Sequence, residues 1–109
     1  MTNVLVTGID GFVGSHLAEA LLRFPDYRLC GLVAEGSTSS RVDHLKSRID
    51  IIEADIVDLQ KVRHAIDAWR PTMIFHLAGQ AFVPLAMKDP LSTFKTNIDG
   101  GINVLESIR

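Results

Sequence analysis

The chain has 109 residues, 47% of them hydrophobic, and a formal net charge of -2, with a pI near 6.0; these are the values of a soluble single domain with one core. Weak acidity excludes a general nucleic-acid binder, which needs a basic field to displace counterions from phosphates, and no apolar run reaches the roughly twenty residues that span a bilayer. A cytoplasmic protein is therefore expected, with no membrane or nucleic-acid partner, and the single cysteine, Cys30, set among apolar residues, reads as core.

Asn3-Val4-Leu5-Val6-Thr7 is a short apolar run bounded by Gly8, suited to a buried strand. From Phe12 the spacing turns helical. Phe12, Val13, Leu17, Ala20, Leu21 and Phe24 recur at three and four residues, and Pro25-Asp26 stops the helix. Residues 28–34 read as a second strand, followed by the polar loop Glu35-Gly36-Ser37-Thr38-Ser39-Ser40 and a short helix through Val42 and Leu45. Residues 49–56 predict a third strand, and Asp58 is placed to cap a helix that carries Val62, Ile66 and Trp69 and ends before Pro71. A fourth strand is expected over residues 72–77, an irregular stretch over 78–89, and a last helix from Pro90 to the chain end. Near-continuous apolar strands alternating with helices predict an α/β fold with a parallel sheet covered on both faces. Right-handed crossovers then give a Rossmann-type sheet in the order 3-2-1-4, with residues 1–109 as one dinucleotide-binding domain.

The turn after the first strand reads Thr7-Gly8-Ile9-Asp10-Gly11-Phe12-Val13-Gly14, with a glycine at every third residue, and opens directly into the helix. Gly8 permits the tight exit from the strand, Gly11 lets backbone approach a pyrophosphate, and Gly14 lets the helix pack closely on the sheet. The anion is held by amides and the helix dipole, so a loop without lysine is adequate. Strand, glycine turn and amphipathic helix in one unit turn a weak motif into a dinucleotide fingerprint, and the lack of a following Gly-Lys-Ser/Thr excludes a Walker loop.

These residues, together with Asp55-Ile56-Val57-Asp58 and His76-Leu77-Ala78-Gly79, resemble the extended short-chain dehydrogenase/reductase family of nucleotide-sugar epimerases, dehydratases and reductases. The window from Ile74 to Pro84 is most similar to enzymes acting on GDP-mannose derivatives, the GDP-4-keto-6-deoxymannose reductases and GDP-mannose 4,6-dehydratases. The resemblance implies that Gly8, Asp10, Gly11, Phe12, Val13 and Gly14 surround the pyrophosphate and that Asp55 and Ile56 lie beside the adenine. Leu77, Ala78 and Gly79 would line the opposite wall, His76 would be a hydrogen-bonded strand residue, and Asn97 would brace the loop after the fourth strand. After the second strand, NAD enzymes of this fold carry an acid for the ribose hydroxyls, whereas NADP enzymes supply arginine to the extra phosphate. Glu35 in that position favours NAD, while Arg41 keeps NADP open. The run Asp99-Gly100-Gly101 departs from the family pattern, and its second glycine predicts local fraying of the last helix.

Hydride exchange in the family uses a Tyr-x-x-x-Lys pair, which this stretch lacks; its one tyrosine, Tyr27, is followed four residues later by Gly31 and reads as a packing or surface residue. The expectation is thus the NAD(P)-binding part of a nucleotide-sugar oxidoreductase, ending before the catalytic segment, with a stand-alone dinucleotide-binding or sensor module as the alternative. No catalytic or metal-ligating residue is assigned. A fourth strand left as an edge predicts self-association, with a homo-oligomer as the outcome.

Overall fold

A computed structural model describes Met1–Arg109. The elements in order are β1 (Thr2–Thr7), α1 (Phe12–Leu21), β2 (Tyr27–Val33), a 3₁₀ turn (Ser40–Leu45), β3 (Asp50–Glu53) and α2 (Leu59–Trp69). They are followed by β4 (Met73–His76), α3 (Val83–Lys88), α4 (Pro90–Phe94), a π-helical stretch (Lys95–Asp99) and α5 (Gly100–Ile108). The strands form one parallel sheet in the order β3-β2-β1-β4, the topology predicted by the alternation of apolar strands and helices.

Alternate residues of the strands point to opposite faces, and each face has its own core. Val4, Val6, Leu29 and Val33 pack with Ala18 and Leu21 of α1 and with Val42 and Leu45 of the 3₁₀ turn. Leu5, Cys30 and Leu32 pack with Val62, Ala65 and Ile66 of α2 and with Val104 of α5. Burial, aided by the charge of Asp50, pushes the Cys30 thiol up to about 12, so it remains a neutral core group. Asp58 caps α2, its carboxylate accepting from the amides of Gln60 (3.1 Å) and Lys61 (3.2 Å). Arg70 then closes the helix in the left-handed region (φ 54°), with its amide on the Ile66 carbonyl, immediately before Pro71.

Four local expectations are corrected. Helix α1 stops at Leu21 rather than Phe24, because the Phe24 carbonyl is used by the Tyr27 amide (3.1 Å) in a tight turn and the two rings stack with centroids 5.0 Å apart. Strands β3 and β4 are four residues each, shorter than their apolar runs. The stretch after β4 is not wholly irregular, since Pro84, with its preset φ, sits in the first turn of α3. The last helix does not fray at its glycine pair: Gly100 is buried, and a Cβ there would lie 3.0 Å from Cγ2 of Ile56. The irregularity falls one turn earlier, in the π-helical stretch.

Gly31 is the tightest point of the sheet. The side chain of Ile9, fully buried, leaves the turn after β1 and lies over β2, so that a Cβ on Gly31 would sit 2.9 Å from Cβ of Ile9.

At the end of the β1–β4 ladder the Thr7 hydroxyl takes over. Its oxygen accepts from the amides of Leu77 and Ala78, both at 3.0 Å, and lies 2.7 Å from Nδ1 of His76. With both lone pairs used, the hydroxyl hydrogen is donated to Nδ1, and the imidazole is neutral with its proton on Nε2. Desolvation lowers the His76 pKa below its ordinary 6.5, which agrees with that assignment.

Two measurements check this packing. Gly31→Ala is expected to destabilise the fold by about 1–3 kcal/mol through overpacking, read as a lower urea midpoint, and Ile9→Ala, which removes the Cγ2 methyl that meets the added carbon, costs less in that background than in the wild type. For His76 the unfolded chain binds the proton more tightly, so the stabilising contribution is complete above pH 6.5 and is lost as pH falls through the lower folded value. Because the ring is partly exposed, the change is below about 1 kcal/mol; urea midpoints between about pH 8 and about pH 5 decline in the wild type and flatten in His76→Asn.

Candidate functional site

Parallel strands all end on the same side, and there the chain leaves the sheet through loops whose amides have no ladder partner. In this chain the four carboxyl ends enclose a cleft of about 310 Å³, at the lower end of small-molecule sites, which run from roughly 300 to 1,000 Å³. Gly8, Asp10 and Gly11 form one wall, and Leu77, Ala78 and Gly79 the facing one. Leu32 and Val33 at the end of β2 with Ala34 beyond it, and Ala54, Asp55 and Ile56 after β3, complete it, with Thr96 of the π-helical stretch.

The glycine turn makes the close approach possible. Gly8 has φ +70°, and a Cβ there would meet the Ala78 amide nitrogen at 2.9 Å, so both its conformation and its space demand glycine. A Cβ on Gly14 would lie 2.8 Å from Cα of Ile9, and the missing side chain lets α1 start directly under the turn. Gly11 is the N-cap of α1, no side chain caps the helix, and its first turn holds no acidic residue. The amides of Phe12, Val13 and Gly14 therefore have no acceptor within the helix, and the positive end of the dipole is uncompensated at the cleft edge.

On the opposite wall, Asn97 closes a two-point bracket on the loop after β4. Its Oδ1 accepts from the Gln80 amide (2.6 Å) and its Nδ2 donates to the Gln80 carbonyl (2.9 Å). The loop brace implied by the resemblance is thus present in the geometry. Beneath the cleft, Asn103 of α5 donates to the Ile56 carbonyl at 2.9 Å. Asp55 holds its own turn, Oδ1 accepting from the Val57 amide at 3.1 Å. Asp10 and Asp55 are the ionisable residues of the lining, which contains no lysine, arginine or histidine.

Of the residues singled out in the sequence, Gly8, Asp10, Gly11, Asp55, Ile56, Leu77, Ala78 and Gly79 are brought together around this cleft. Gly14 is buried beneath the turn, while the side chains of Phe12 and Val13 are 67% and 62% exposed and outside the cleft lining. Glu35 is not part of the lining: it turns outward into an ion pair with Lys61, which raises the lysine's pKa through the hydrogen bond and the charge of Glu35. Arg41 also lies outside it, exposed in the 3₁₀ turn. Sequence reasoning missed Ser37, whose hydroxyl donates to the Asp10 carboxylate, and Thr96. Ser37 carried only the signal of a polar loop, and Thr96 is turned inward by a π-helical register that no periodicity announces.

A family model described as GDP-mannose 4,6 dehydratase matches residues 5–109. CDP-glucose 4,6-dehydratase of Salmonella typhimurium is 31% identical over 109 residues, covering 97% of this chain and 30% of that protein. GDP-mannose 4,6 dehydratase of Drosophila melanogaster is 32% identical over 117 aligned residues, covering 96% and 29%. The crystal structure of Thermus thermophilus UDP-glucose 4-epimerase in complex with NAD aligns with a TM-score of 0.85 at 34% identity, covering 97% of this chain and 33% of that one. The chain spans about a third of the length of these proteins. The cleft thus lies on a Rossmann-type sheet shared with nucleotide-sugar enzymes, and the chain belongs to the GDP-mannose 4,6 dehydratase family.

Proposed function

We propose that the cleft binds a nicotinamide dinucleotide, with NAD favoured over NADP, and that residues 1–109 are the dinucleotide-binding part of a nucleotide-sugar dehydratase, epimerase or reductase. The observation that carries the reading is the uncapped N-terminus of α1 opening onto a cleft walled by glycine and alanine. Such a site offers free amides and a dipole end to a pyrophosphate and needs no basic side chain. The NAD complex of the structural relative supports the same class of ligand.

In this reading the amides of Phe12, Val13 and Gly14 hold the pyrophosphate, while the Gly11 amide stays on the Gly8 carbonyl at 3.0 Å, and Gly8 with Ala78 and Gly79 keeps the two walls low enough for it to enter. Asp55 accepts from the adenine amino group, while Ile56 and Leu77 supply apolar contact. Held there, a nicotinamide would supply hydride chemistry toward the sugar; the residues of this chain would orient it and exclude water from the pyrophosphate side. Tyr27 takes no part, because it stacks on Phe24 at the start of β2, so the proton-exchanging groups belong to polypeptide outside residues 1–109. A GDP-mannose derivative is the favoured substrate, on the family description and the similarity of the Ile74 to Pro84 window. Association with a second copy is also part of the proposal: Phe94, Ile98, Ile102 and Leu105 expose apolar surface.

Calorimetric titration of the intact protein with NAD and NADP tests the ligand. Saturable heat is expected for NAD, and Gly11→Ala, whose Cβ would stand a tight 3.3 Å from the Gly8 carbonyl oxygen, weakens it by about tenfold or more as the methyl takes space needed by the phosphates. Heat with neither dinucleotide refutes the proposal. Sedimentation at several protein concentrations is expected to show a mass above that of the monomer; a concentration-independent monomer removes the oligomer.

A further inference from the structure

The acid expected to read the ribose is Glu35, yet its carboxylate is paired with Lys61 of α2, outside the cleft lining. Another carboxylate occupies the junction between the glycine turn and the end of β2. Asp10 lines the cleft with Gly11 and Ala34, and its Oδ2 accepts the hydroxyl proton of Ser37. Ser37 is itself held at both ends: its amide donates to the Ala34 carbonyl at 3.1 Å, and its oxygen accepts from the Ser39 amide at 3.1 Å. Oδ2 is thereby oriented by the loop after β2, and Oδ1 has no partner in the protein.

We infer that Asp10, oriented by Ser37, is the residue that selects the dinucleotide: its free carboxylate oxygen accepts from the 2′-hydroxyl of the adenine-side ribose and rejects a phosphate at that position. The inference rests on the proposal that the cleft takes a nicotinamide dinucleotide, and it names the side chain that distinguishes the two forms. Two observations and one consequence of the proposed function carry it. With the pyrophosphate at the first amides of α1 and the adenine at Asp55, as proposed above, the ribose between them falls at the turn that bears Asp10. A carboxylate with one oxygen already accepting and the other free suits a hydroxyl donor and repels a dianion at contact distance. Finally, the lining has no cation to compensate a 2′-phosphate, and Arg41, the nearest sequence alternative, lies in the exposed 3₁₀ turn outside it.

The test is a titration series on the intact protein with NAD and NADP as the two probes, applied to wild type, Asp10→Asn, Ser37→Ala and Glu35→Gln. The wild type binds NAD more tightly than NADP. Asp10→Asn weakens NAD by about tenfold, the cost of losing a hydrogen bond to a charged group, and narrows or reverses the preference. Ser37→Ala moves the preference in the same direction by a smaller factor, and Glu35→Gln leaves both affinities unchanged. Ser37→Ala leaves the glycine turn intact, so it carries the test should Asp10→Asn fold poorly. NAD binding that survives Asp10→Asn and Ser37→Ala but falls in Glu35→Gln overturns the inference while leaving the dinucleotide site standing. Failure of the wild type to bind either probe overturns both.

Discussion

The Thr7 hydroxyl joins β1 to the loop after β4 at the point where the ladder between the two strands runs out. One oxygen accepts two successive amides, Leu77 and Ala78, and its proton goes to a neutral His76 ring. The Leu77 amide is shared with the Thr7 carbonyl at 3.2 Å, whereas the Ala78 amide has the hydroxyl as its acceptor, and a polar group left unpaired on burial costs on the order of 1–3 kcal/mol. Because both amides are held, the Leu77-Ala78-Gly79 segment can run within contact of Gly8, and the two walls of the cleft stand at a fixed separation. The helix amides opposite, the inward position of Ile56 and the bracket from Asn97 are all arranged around that joint.

Close backbone approach is the recurring device of this molecule. Gly8 lies against Ala78, Gly14 against the turn above it, Gly31 beneath Ile9 and Gly100 beside Ile56. In each case a missing Cβ brings two elements together on the side of the sheet where the strands end, or directly under it. The arrangement puts the uncapped end of α1 close to the facing wall and leaves the cleft lined by backbone and small side chains. A site built this way suits a linear anionic ligand, held along its length by amides, better than one that needs a cluster of side-chain charges.

The sequence made the glycine turn legible because its constraint is local: three glycines at fixed spacing between an apolar run and an amphipathic run have few other uses. Asp58 as a helix cap and Cys30 as core were equally local, one a short-range hydrogen bond and the other an apolar neighbourhood. Glu35 lies outside the lining for the opposite reason: the chain turns at Gly36, with φ +80°, and Lys61 on a separate element pairs with the carboxylate, which no local pattern announces. Asp10 was named only as part of the glycine turn; its partner Ser37 is 27 residues away, and nothing in the polar loop marks that serine over its neighbours. The π-helical stretch that aims Thr96 at the cleft and Asn97 at Gln80 was likewise hidden, since the whole segment from Pro90 onward has ordinary helical composition.

By itself, then, the order of residues determined the alternation of strand and helix, the parallel sheet with its strand order, and the turn that places helix amides at one end of it. Those follow from periodicity, from residues that stop or start elements, and from the handedness of crossovers, all of which act over a few residues or one connection. Tertiary structure alone decided which side chains share the cleft: that Asp10 is oriented by Ser37, that Glu35 is drawn away by Lys61, that Gly31 must make room for Ile9, and that His76 is neutral under Thr7. Each of these depends on distances between elements far apart in the chain, which are fixed only when the two apolar faces of the sheet are packed.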